Sequence, residues 1–130
     1  MEKEITGYVK LILASVSMKN GDLHSTVEKM KKYLAENYHQ KITLQNMADE
    51  FYMSVNTCSD FIKSNLHHSF NDYLKMLRMD EAKSLLLTTN LSAEKISEES
   101  GYTNARYFFK SFKGEFGMTP QEYRSSGGKV

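Results

Sequence analysis

Cysteine is almost missing from this chain: Cys58 is the only one in 130 residues. That excludes an internal disulfide and fits a reducing cytosol. No Asn or Asp constellation accompanies Cys58, so it reads as a small core residue on a short helix. Proline is equally scarce, with Pro120 alone. β-Branched residues are scattered, and no segment alternates with period two, which argues against strands. No apolar run reaches about 18 residues, so no transmembrane helix is expected. The opening Met-Glu-Lys-Glu lacks a basic region followed by a long apolar stretch, so a signal peptide is not expected either. Charge of one sign is also lacking: 17 Lys and Arg stand against 16 Asp and Glu, a net charge of +1. Any basic surface must therefore come from uneven distribution.

Sites for chemistry are absent as well. There is no P-loop, no dinucleotide fingerprint and no nucleophile elbow. His67 and His68 are neighbours, so on a helix they point about 100° apart, whereas zinc ligands come at i, i+4 or on paired turns. Glu98-Glu99 reads as a solubilising pair. The sequence thus predicts no enzyme, no catalytic residue, no cofactor and no metal.

What remains is a soluble, globular, helical pattern, 40% hydrophobic and 25% charged. The 8 methionines suit an adaptable core. Ile5, Tyr8, Val9, Ile12, Leu13 and Val16 form one apolar stripe, with Asn20-Gly21 as a left-handed stop. Ser25 and Glu28 suggest a capping box for the next helix, whose inner face is Val27, Met30 and Leu34. Thr43 caps a short helix with Leu44, Met47 and Ala48. After a tight turn at Phe51-Tyr52-Met53, Ser54 caps another with Phe61, Ile62 and Leu66. Ser69, with Asp72, opens a helix to about Thr89, a rod of roughly 30 Å. Ser92 caps a short helix with Ile96, Gly101 breaks it, and Thr103 or Asn104 caps its successor. Thr119-Pro120-Gln121-Glu122 combines an N-cap, a proline at the first helical position and an acid at the third. The tail from Ser125 reads as flexible.

An internal repeat organises these elements. Adding 50 to a residue number pairs Ile62 with Phe112, Lys63 with Lys113, Leu66 with Phe116, Ser69 with Thr119 and Tyr73 with Tyr123. Tyr52 with Tyr102 continues the register. Two copies of one helix-turn-helix plan, at about 43–66 and 92–116, joined by the stiff helix 69–89, account for the pattern. Phosphates call for long cations, and base edges for hydrogen-bonding or apolar tips. Helix 104–116 offers Arg106 and Lys110 on one face, Phe109 alongside and Lys113 a turn on, with Phe108 and Phe112 turned inward. Arg106 suits bidentate reading of guanine and Phe109 the thymine methyl. The bland reading of the same residues is a solvated helix face over an aromatic core. By the repeat register the first unit exposes Asn56, Thr57, Ser59, Asp60 and Lys63. Asp60 falls in the slot of Lys110, where phosphate repels it unless it accepts from cytosine. The second unit is therefore expected to carry most of the affinity. Recognition helices on adjacent major-groove faces stand about 34–36 Å apart, of the order of the connecting rod, so bending of the DNA is expected to add specificity.

The run Gly101-Tyr102-Thr103-Asn104-Ala105-Arg106-Tyr107-Phe108-Phe109-Lys110-Ser111-Phe112-Lys113, continuing through Phe116-Gly117-Met118-Thr119-Pro120-Gln121-Glu122-Tyr123-Arg124, resembles the C-terminal signature of the AraC/XylS family of bacterial transcription regulators. The resemblance covers nearly all of residues 26–124. It implies an all-α, seven-helix domain of two helix-turn-helix subdomains joined by a long helix, with double-stranded DNA as partner. It also implies asymmetric promoter sites, often bound as tandem copies, and activation through contact with RNA polymerase. By matched position the base-facing residues are Asn56, Ser59 and Asp60, then Ala105, Arg106, Phe109 and Lys110. Lys63 and Lys113 fit backbone contacts. Asp60 and Cys58 depart from common usage in the family.

Most relatives carry a sensing or receiver domain ahead of such a module. The amphipathic stretch 1–24 is read as the stalk of a larger regulator, as in response regulators. A dimerising helix or a strap on the domain are its alternatives. A different functional class also stays open, a protein-interaction module that uses the same scaffold without DNA.

Overall fold

The computed structural model describes residues 20–129, and the stripe from Ile5 to Val16 lies outside them. Seven α-helices and no strand occur among the described residues. They are α1 (Asn20–Asn37), α2 (Leu44–Glu50), α3 (Val55–Leu66), α4 (Phe70–Thr88), α5 (Ala93–Glu99), α6 (Ala105–Phe116) and α7 (Pro120–Ser125). They fall into two compact units, one of residues 20–37 and 42–74, the other of residues 38–41 and 75–129.

Most boundaries are set by the capping side chains that the sequence offers. Thr43 and Asn46 form a reciprocal box at α2, each side chain accepting the other's backbone N–H at 3.0 Å. Ser54, Ser69 and Ser92 accept from the backbone N–H groups of Thr57, Asp72 and Lys95 at 3.0–3.1 Å. Asn104, not Thr103, caps α6, taking the N–H groups of Arg106 and Tyr107. Thr119 and Glu122 close the second box around Pro120. Each cap satisfies donors that a helix start leaves orphaned, worth about 1 kcal/mol.

The structure corrects the start of α1. Asn20 and Gly21 are themselves helical and supply no left-handed stop, and Ser25 does not open a helix: all three lie within Asn20–Asn37. Gly21 has no left-handed backbone. Asp22 sits in the first turn, favourable to the helix dipole, and Thr26 Oγ1 bonds back to the Asp22 carbonyl at 3.0 Å. The Thr26 hydroxyl thus bonds within the helix and caps no end.

The repeat register also shifts inside the two turns. Ala93 follows Leu44 by 49 positions, whereas Ala105 follows Val55 by 50. Phe51, Tyr52 and Met53 donate to Met47, Asp49 and Ala48, as Ser100, Gly101 and Tyr102 donate to Ile96, Glu98 and Ser97. The partner of Tyr102 is therefore Met53, and that of Tyr52 is Gly101. Thr103 is the extra residue, and two tyrosines in the wrong register had concealed it. The left-handed slot shared by both turns holds Tyr52 at φ 56° in one and Gly101 at φ 102° in the other.

The first unit buries Met30, Leu34, Met47, Ala48, Cys58 and Ile62 completely. Burial pushes the Cys58 thiol up to about 11, so it is an inert filler. The second unit is built on rings. Phe108 and Phe112 are fully buried, with centroids 5.8 Å apart, and Phe112 meets Phe116 at 4.7 Å and Tyr123 at 5.6 Å. Ile96, Ala82 and Leu86 complete that core.

Two arginines tie the second unit together through carbonyl oxygens. Arg78 of α4 donates to Tyr38 O at 2.8 Å and Gln40 O at 3.2 Å, holding residues 38–41 as a strap. Gly101 lies under it, where a Cβ would come within 2.6 Å of Tyr38 O. The Tyr38 hydroxyl donates to Glu81, and burial with that bond raises its pKa to about 12. Arg124 of α7 donates to the carbonyls of Leu86, Thr89 and Leu91 at 2.8–3.1 Å, closing the C-terminal end of α4. The tail folds back, with Gly128 N–H donating to Tyr123 O and Ser126 Oγ to Lys129 O.

Candidate nucleic-acid interface

In each unit a short helix supports a twelve-residue helix across a four- or five-residue turn, α2 with α3 and α5 with α6. The longer helix ends in a left-handed residue in both cases, His67 at φ 62° and Gly117 at φ 74°. The two differ in what they turn outward.

On α6, Phe108 and Phe112 fix the inner face, which leaves Arg106, Lys110 and Lys113 exposed on the opposite side. At about 100° per residue these three span an arc of only about 60°. None is within ion-pair distance of a carboxylate among the described residues. Glu115, the sole acid on the helix, points away and bonds Lys75 at 3.2 Å. With three cations and one acid, α6 carries a net +2, concentrated on its outer face. Lys113 also helps hold Glu122 below its ordinary value, after the hydrogen bonds from Thr119.

Ala105 and Phe109 sit at the edge of this face, each half-buried. Phe109 packs against the core, its ring 5.8 Å from that of Phe108. Its other side lines a groove with Ala93, Pro120 and Arg124. The ring is therefore only partly open to a ligand. Tyr107 was missed by the sequence reading: 60% exposed, it is the most open large apolar side chain among the described residues. Its ring lies 6.1 Å from that of Tyr102, whose hydroxyl burial raises to about 12. Spacing alone could have found it, because position 107 lies about 140° from buried Phe112 around the helix.

On α3 the inner face is Cys58, Phe61, Ile62 and Leu66. Asn56, Asp60 and Lys63 are exposed, and Ser59 is half-buried. Asp60 and Lys63 cancel, so the helix is neutral. The Ser54 and Thr57 hydroxyls are bonded to each other at 2.8 Å, which ties Thr57 to the cap. The structure brings the candidates together within each helix. Of the three arginines, only Arg106 is free to face a ligand, because Arg78 and Arg124 are engaged by carbonyls.

No group of three or more potential metal ligands occurs among the described residues, and none of their helices is long and apolar enough to cross a membrane.

Comparison with known proteins gives a consistent result. A family described as a helix-turn-helix domain matches residues 47–126. The chain is similar to the HTH-type transcriptional regulator YdiP of Escherichia coli K12, 40% identical over 93 residues, covering 71% of this chain and 30% of that protein. It is 27% identical over 104 residues to the HTH-type transcriptional activator RhaS of Mannheimia succiniciproducens, covering 80% of this chain and 39% of that one. Among solved structures it is similar to the C-terminal domain of the two-component response regulator yesN from Fusobacterium nucleatum. There the identity is 34% and the TM-score 0.75, covering 77% of this chain and 98% of that domain. The chain spans about a third of the length of the curated relatives it matches.

Proposed function

The chain belongs to the AraC/XylS family of helix-turn-helix transcription regulators, and from that premise we propose that it reads duplex DNA in the major groove with α6 as principal reader. Its family comprises DNA-binding regulators and not enzymes. The observation that carries the assignment is the free cationic arc Arg106–Lys110–Lys113 on a helix whose only acid is paired elsewhere. Arg106 is assigned to guanine, Lys110 to a base edge or the adjacent phosphate, and Lys113 to the backbone. Ala105 and the open part of Phe109 are assigned to thymine methyl contact. In the first unit Asn56, Ser59 and Lys63 are the weaker counterparts, and Asp60 restricts α3 to a cytosine-containing step or keeps it off the bases.

Activation through RNA polymerase is the direction we assign, supported by the likeness to a relative described as an activator. The similarity to a response-regulator C-terminal domain supports the role of output module in a larger regulator. Neutral α3 favours one further reading for the first unit alone, contact with a protein.

The test is selection from a randomised duplex library at two salt concentrations. Enrichment of an asymmetric site, bound less tightly as salt rises, is expected, because phosphate contacts release counterions. Enrichment of a single half-site would assign the first unit to a protein partner, and no enrichment by a folded chain would sink the DNA reading.

A further inference from the structure

Gly114 is a helical glycine that the fold does not require. It lies in the last turn of α6, its backbone is not left-handed, and a Cβ added there would meet nothing within 4 Å. Gly101 shows the contrast, with both a positive φ and a backbone carbonyl in the way. Glycine is disfavoured against alanine on a helix, so an unforced one points to something outside the fold. Around the helix Gly114 lies about 80° from Arg106, and Tyr107 about 100°. The two therefore share one flank of the cationic arc, on which Tyr107 projects and Gly114 leaves the backbone bare. Seven residues separate them, about 10 Å along the axis.

A helix with its side chains is about 10–12 Å across, and the major groove about 12 Å wide. When Arg106 and Lys110 face the base edges, the flanks of the helix must meet the sugar–phosphate walls. We infer that the Tyr107–Gly114 flank of α6 is a close-approach face for one such wall: Tyr107 packs its ring on deoxyribose and donates its hydroxyl to a phosphate, and Gly114 gives the next phosphates room. The charge of the adjacent arc is complementary to that occupant, and Glu115, the only nearby acid on the helix, is held by Lys75. Tyr102 supports the Tyr107 ring from below at 6.1 Å. The first unit has Thr57 and Ser64 at the matching positions, so the device belongs to the second unit alone. This inference rests on the DNA reading proposed above and adds a positioning contact that is independent of base sequence.

Because the contact is to backbone, the probe is a 30-base-pair duplex of mixed sequence, titrated with the full chain at low and moderate salt. Gly114→Ala and Gly114→Gln are expected to raise Tm by a few degrees, since both residues favour helix. The same variants are expected to weaken binding, Gln by about tenfold and Ala by about threefold. Tyr107→Phe is expected to lose about threefold and Tyr107→Ala about tenfold. A purely structural role cannot raise stability while lowering affinity. Unchanged affinity in Gly114→Gln would overturn the inference, as would a fall in Tm that accounts for its weaker binding. A wild-type chain that does not bind the duplex, or binds without salt dependence, would overturn the DNA reading itself before any variant is compared.

Discussion

α3 and α6 are two helices of twelve residues in matching places, yet they divide their surfaces differently. α6 anchors itself by Phe108 and Phe112 at 0% exposure, and its outer face is left to three cations and a tyrosine. α3 anchors through smaller groups, Cys58 in the place of Phe108 and Ile62 in the place of Phe112, and its outer face is neutral. A narrow, heavily packed inner face allows a helix to carry like charges outward, because burial offsets their repulsion. A duplicated scaffold can in this way keep one copy for strong contact and the other for adjustment.

The most disruptive way to break the comparison is through the core. Phe108→Ala is expected to cost about 3–5 kcal/mol, whereas its counterpart Cys58→Ala costs about 1 kcal/mol, both read from urea denaturation followed by circular dichroism. Equal costs would mean that the aromatic anchoring of α6 is not what distinguishes it. The turns provide the next contrast. Gly101→Ala is expected to cost about 2–3 kcal/mol, because a Cβ would collide with Tyr38 O in a left-handed backbone. At the equivalent slot, Tyr52→Gly relieves about 1 kcal/mol of strain while losing half-buried ring contact, so Tm should move little.

Charge gives a third, smaller effect that sharpens the difference between the outer faces. Asp60→Lys is expected to tighten binding to mixed-sequence duplex by about five- to tenfold and to steepen the logarithmic salt slope by about one. Unchanged binding would show that α3 does not face DNA. Arg106→Ala is expected to lose about tenfold or more at its preferred site, against less than about threefold for Asn56→Ala.

The smallest effect separates the two capping boxes. The box at α7 uses Glu122, held below its ordinary value of 4.5 by the backbone hydrogen bond from Thr119, while the box at α2 uses the uncharged Asn46. A depressed carboxylate pKa contributes stability that is present above the unfolded value and lost as pH falls through the folded one. Glu122→Gln should therefore lower Tm slightly at pH 7, with the difference from wild type shrinking as pH falls below 4.5. Asn46→Asp should gain a similar dependence in the first unit.

Much of this was readable in the residues because caps act locally. Thr43, Ser54, Ser69, Ser92 and Thr119 each reach a donor within three residues, so sequence alone places those starts. The same locality misled at Ser25, where a capping pattern occurs within a helix whose continuation does not depend on it. Arg78 and Arg124 were illegible, because their acceptors lie 33 to 40 positions away. Tyr107 escaped because an aromatic near other aromatics is usually core, and only the geometry of α6 sets it apart.

The strap at residues 38–41 bears on how the chain comes to be folded. It belongs with residues 75–129, although 33 residues, 42–74, lie between the two in the chain. On the ribosome the strap emerges first and must wait for Arg78, then for Gly101, before its carbonyls have donors and its bed exists. The second unit is therefore not a cassette that can be lifted out with one cut. A transplant into another regulator would have to carry this tetrapeptide with it, or supply Arg78 with substitute acceptors.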